Sequence, residues 1–220
     1  MIGDCEGRQT NPNYASELEM FEEVMDYEYD IQGWLEDCLD ELDMREEHKA
    51  LLKMCDKLLD MFGWPEYTGS DIKMRKAAIM AALGQKKESA EFCEKWLQKE
   101  LENIVAAIAG VYAFIEVKAF EKAERSVERF IWDKSKCTDE NNIMFMAASA
   151  LYQVTGKKKE KKVIDKAMKE SEKYLKDYFE SFEFEDEMRS FLMMDCLFNI
   201  FYFGTVLLPH RRNIHEYTLV

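Results

Sequence analysis

Helix breakers are scarce in this chain. Its 220 residues hold 3 prolines and 9 glycines, too few for the many tight turns that an all-β fold requires. A basic surplus is missing as well. The net charge is −14 and the pI about 4.8, so the chain lacks the cationic surface with which a nucleic-acid binder displaces counterions from phosphates. Metal-ligand cysteine spacing is also absent. The six cysteines stand at 5, 38, 55, 93, 137 and 196, and no two form C-x-x-C. Free thiols in a reducing cytosol are expected. The first residues, MIGDCEGRQTNPN, have neither a basic start nor an apolar run, which excludes a secretory signal there.

Catalytic signatures are absent too. There is no G-x-S-x-G, P-loop or G-x-G-x-x-G. Of the histidines, His48 sits in REEH without a second ligand at metal-binding spacing, and His210 and His215 fall in the terminal HRRNIHEY. Ser70 to Lys73 satisfies S-x-x-K by letter, yet it reads as the start of a helix. Neighbouring acids such as Glu22–Glu23 and Glu46–Glu47 face different sides of a helix and cannot share a substrate. A non-enzyme is expected, with no catalytic residue, no metal and no cofactor.

What is abundant is Ala, Leu, Met, Glu and Lys, the strong helix formers. Apolar residues recur at helical spacing in consecutive segments: 14–29, 30–44, 45–62, 70–83, 87–99, 103–117, 119–132, 138–156, 158–182 and 185–203. Ser70 and Thr138 are expected as N-caps, and Gly84 as a left-handed C-cap. The four tryptophans, Trp34, Trp64, Trp96 and Trp132, are expected in core positions, since Trp34 and Trp96 fall on apolar stripes. The joins are short, so neighbouring helices must pack antiparallel. The division follows: 1–13 a disordered tail, 14–203 one helical domain, 204–220 a C-terminal tail. Charge is segregated along it. Residues 14–47 carry 14 acids and one base, whereas 157–176 carry nine lysines and four acids. Two solvated helix faces are the plain reading. An acidic end and a basic patch that steer a charged partner are the sharper one.

A period runs through these helices. Met80 and Phe114 stand 34 apart, as do Ser89 and Ala123, Cys93 and Val127, and Trp96 and Phe130. Tyr152, Lys161, Asp165 and Met168 follow 38 residues on, and Leu42 and His48 open an earlier, divergent copy. A ring near the end of one helix and a small residue nine later resemble tetratricopeptide repeats. Phe114, Ala123 and Phe120 carry that likeness, with Gly84 in the turn, Ser89 as the small residue and KELEN (99–103) between repeats. Leu101 stands where that family has proline, and Trp96 and Phe130 where it has a small residue. A generic helical-hairpin array or a compact bundle is the alternative.

The resemblance implies an all-α fold of antiparallel helix-turn-helix repeats, stacked as a short right-handed α-solenoid. It also implies that the first helix of each hairpin lines a concave surface. Met74 and Ala78 would face it from one hairpin, Val105, Ile108, Tyr112 and Ile115 from the next, and Met146, Ala150 and Gln153 from the third. This set is small and apolar, and it lacks the Lys/Asn clamp that some family members use for a peptide's carboxylate. The expected function is a cytoplasmic protein–protein interaction or adaptor module that binds a protein or peptide partner, with no nucleic acid. The alternative is a regulatory sensor of a peptide or small apolar ligand in the same groove. The C-terminal helix, apolar nearly all round, is expected to cap the domain or fill the groove. A homodimer through that helix is the second reading. A membrane anchor is the third, disfavoured because Asp195, Asn199, Gly204 and Pro209 spoil the span.

Overall fold

A computed structural model of the chain describes residues 28, 30–64 and 67–180. The expected tails, the helix over 14–29 and the apolar C-terminal helix lie outside the described residues. Within them, eight helices follow one another: α1 Ile31–Met44, α2 His48–Met61, α3 Ser70–Ala82, α4 Lys86–Lys99, α5 Ile104–Glu116, α6 Phe120–Phe130, α7 Asn142–Val154 and α8 Lys158–Glu180. None of the described helices is long and apolar enough to cross a membrane.

The turns inside successive helix pairs are built alike. Glu46, Gly84, Lys118 and Gly156 all have φ between +56° and +84°. After each of them, the next backbone N–H reaches back to a carbonyl five residues earlier. Glu47 donates to Leu42 at 2.9 Å, Gln85 to Met80 at 2.8 Å, Ala119 to Phe114 at 2.8 Å and Lys157 to Tyr152 at 3.0 Å. This is the Schellman arrangement that closes the orphan carbonyls of a helix end. It turns the chain sharply enough for α1–α2, α3–α4, α5–α6 and α7–α8 to pack as antiparallel pairs. The 38, 34 and 38 spacing of these turns is the spacing of the large residues Leu42, Met80, Phe114 and Tyr152.

Packing repeats too. α2, α4 and α6 each lie against the first helix of the next pair, and α3, α5 and α7 pack side by side. Small residues allow the close approach: Ala123 is fully buried on α6, and on α4 the Ser89 hydroxyl donates to the Ala77 carbonyl of α3 at 2.7 Å. α5 is buried at every position from Ala106 to Phe114, which explains why its sequence is apolar all round. α3 serves two cores. Met74 and Ala77 join the larger cluster around α5, whereas Ile72 and Ile79 join Leu35, Leu39, Leu51, Cys55 and Leu58 of α1 and α2.

Four local expectations are corrected. Ser70 is the first residue of α3 and not its cap; Gly69 holds the cap position, and the Ser70 hydroxyl donates to the Tyr67 carbonyl at 2.6 Å. Thr138 does not cap α7, which starts after Asn141, whose side-chain oxygen instead accepts from the Thr138 N–H at 2.8 Å. Trp34 is not a core residue. It is 52% exposed, because Leu35 and Leu39 take the buried positions of α1. Trp132 is likewise outside the core, at 85% exposure, whereas Trp96 is buried as expected.

Candidate functional site

The apolar face expected from the sequence spreads over three helices that the fold brings together. α3 supplies Met74 and Ala78, α5 supplies Val105, Ile108, Tyr112 and Ile115, and α7 supplies Met146, Ala150 and Gln153. Met74, Ile108 and Tyr112 are buried and belong to the larger core cluster. Ala78, Val105, Ile115 and Ala150 are half-buried and pack against that cluster. Met146 is half-buried and Gln153 exposed. The three helices thus present a graded surface, with aromatic and branched side chains beneath and half-covered aliphatic ones above.

Tyr112 is the buried polar residue on this face, and Gln153, also polar, is exposed. Burial pushes its phenol up to about 12, so the hydroxyl stays protonated at any physiological pH. It makes no hydrogen bond with a described residue. A phenol in largely apolar surroundings is a donor for a carbonyl or carboxylate brought to it. Among the described residues no group of three or more His, Cys, Asp or Glu could hold a metal ion. The buried thiols Cys55 and Cys93 are pushed to about 12 by burial, far from the thiolate state a nucleophile needs.

The elements that aim this face are tied by a polar knot where α3, α4 and α5 meet. Asn103 caps α5, its side-chain oxygen accepting from the N–H groups of Val105 at 3.0 Å and Ala106 at 3.2 Å. Its amide nitrogen donates to Ser70 Oγ at 2.8 Å and to Glu100 Oε2 at 2.6 Å. Glu100 also accepts from Trp96 Nε1 at 2.7 Å and from Lys73 Nζ at 2.5 Å. Partial burial disfavours charge on Glu100, but these three donors outweigh it and hold its carboxyl below the usual range. The knot fixes α5 against α3 and so sets the spacing of Met74, Val105 and Ile108. Sequence reading identified Asn103 only as a helix start. Its partners are 33 residues and 3 residues away, a combination that a local motif cannot reveal.

A second concavity was not foreseen. A groove of about 350 Å³ lies between the second helices α4 and α6, on the other side of the pairs. Leu97, Leu101 and Phe114 line it together with Lys122, Arg125 and Arg129. The only sequence signal for it is the spacing of those three cations along one strip of α6. A smaller hollow of about 160 Å³ opens between α1, α2 and the start of α3, against Trp64 and Asp71. Compared with protein families, with curated proteins and with solved structures, the chain matches none.

Proposed function

We propose that the chain is a tetratricopeptide-like repeat protein, a short right-handed α-solenoid. On this reading it binds an apolar helix or peptide of a protein partner along α3, α5 and α7. The fourfold Schellman turn and the side-by-side packing of α3, α5 and α7 support the repeat reading, because stacked identical hairpins need both. The observation that carries the binding reading is Tyr112: a buried phenol with no hydrogen bond to a described residue, in the same apolar cluster as Val105, Ile108 and Ile115. A largely apolar strip with a few polar groups is the common composition of a surface that recognises a partner segment.

The test is affinity capture with quantitative mass spectrometry from the native host. Wild type is compared with Tyr112→Phe, which removes only the hydroxyl, and with Met146→Glu, which places charge on a half-buried position. The reading expects one or a few partners to fall several-fold with each variant. Identical partner profiles for all three proteins, with each variant melting as wild type does, would remove it.

A further inference from the structure

The groove between α4 and α6 has a different character from the face just described. Leu97 is half-buried, Leu101 is 50% exposed and Phe114 is buried at 3% exposure. Together they make an apolar bed open to solvent. α6 contributes the cations Lys122, Arg125 and Arg129 at spacings of three and four, so all three lie along one strip of the helix. Two of them are engaged. Lys122 Nζ pairs with Glu94 of α4 at 2.7 Å, and Arg129 pairs with Glu102 at 3.1 Å. These bridges link α6 to α4 and to the loop after it. Arg125 stands between them, exposed, with no ion pair or hydrogen bond to any described residue.

An exposed leucine beside a buried ring, with an unpaired guanidinium one turn from two stapled cations, is an arrangement with a chemical preference. The bed takes an apolar side chain. The guanidinium presents a planar fork that suits a carboxylate better than any neutral group. Glu94 is the carboxylate among the groove's lining residues and is taken up by Lys122, while Arg129 is taken up by Glu102, so Arg125 is the lining charge left without a described partner.

We infer that the groove between α4 and α6 is a second docking site, for an acidic peptide segment whose aromatic or leucine side chain is flanked by carboxylates. The apolar side chain lies on Leu97, Leu101 and Phe114, and a neighbouring carboxylate pairs with Arg125. The site stands on the second helices of two pairs and does not depend on the face formed by α3, α5 and α7.

Fluorescence anisotropy on the full chain tests this, with a labelled hexapeptide Glu-Glu-Phe-Glu-Leu-Glu as the probe. Saturable binding is expected, with Glu-Glu-Ala-Glu-Ala-Glu and Lys-Lys-Phe-Lys-Leu-Lys each bound at least about tenfold more weakly, the scale of one charge-assisted contact. Arg125→Glu and Leu101→Asp should each weaken the probe by about the same factor. Both side chains are exposed, so both variants should keep the wild-type melting temperature. No binding of the probe overturns the proposal, and so does equal binding by Arg125→Glu. The chain's own FEFEDE run at 182–187 has the same chemistry. If Phe182→Ala with Phe184→Ala tightens the probe tenfold, that run is the occupant and the external partner is excluded.

Discussion

At the scale of single residues, two side chains carry predictions. Glu100 accepts hydrogen bonds from Lys73, Trp96 and Asn103, and its carboxyl is held below its ordinary value of 4.5. A group whose folded value is depressed stabilises the fold above its unfolded value, and that contribution is lost as the pH falls through the folded one. Glu100→Gln should therefore lower stability at neutral pH and flatten the acid limb below about pH 4.5, measured by urea unfolding from pH 3 to 7. An unchanged acid limb would show that the knot does not sense the charge. Tyr152 makes the opposite case. It is fully buried, and its hydroxyl has no hydrogen-bond partner among the described residues. A buried orphan hydroxyl costs about 1–3 kcal/mol, so Tyr152→Phe should leave stability unchanged or raise it by up to about 1 kcal/mol. A loss greater than that, read from chemical denaturation, would mean the hydroxyl has a partner after all.

At the scale of elements, the repeated turn is the informative unit. Gly84 and Gly156 adopt the left-handed conformation at no steric cost, but Lys118 adopts it with a side chain, at φ +59°. An L-residue there carries about 1 kcal/mol of strain. Lys118→Gly should raise the unfolding free energy by roughly 0.5–1 kcal/mol, and a destabilised variant would point to a tertiary role for the lysine. The same residues show what the sequence made legible. Large residues at 42, 80, 114 and 152 set the register of the pairs, because each ends a first helix two turns before an apolar second helix begins. Lys118 and Glu46 hid two of the four turns, since neither residue signals a positive φ. Trp34 was misplaced because α1 offers more apolar residues than its two buried positions, and sequence periodicity cannot say which stripe meets α2. The apolar face was legible only as a set of positions on first helices. How deeply Ile108 and Tyr112 sit depends on the packing of α5 between α3 and α7, which no local pattern contains. The groove between α4 and α6 was not legible, because it exists only through the spacing of two helices that are not neighbours in sequence.

At the scale of the whole molecule, stability should be distributed unevenly. α5 is buried at nine consecutive positions and packs against α3, α4, α6 and α7. α1 buries only Leu35 and Leu39 and rests mainly on α2. Besides the packing of Leu35 and Leu39 in one cluster with Ile72 and Ile79, its polar link to α3 is Arg75, which pairs with Asp40 at 2.7 Å and lies 3.9 Å from Asp43. That pairing gives part of the acidic stretch a structural task, since the Arg75 side chain is only 12% exposed and needs the carboxylates beside it. The two core clusters meet only through α3, so α1 and α2 can detach while Met74 and Ala77 keep their places around α5. In a stack where each unit touches mainly its neighbours, such partial opening is the expected first step of unfolding. Native-state hydrogen exchange should therefore show the amides of α1 and α2 opening with a lower free energy than those of α5, and exchanging roughly tenfold faster or more. The difference should widen in Arg75→Ala, which removes the link and leaves the larger cluster untouched. Equal protection in α1 and α5, rising and falling together with denaturant, would mean that the two clusters form a single cooperative unit and that α3 transmits stability rather than dividing it.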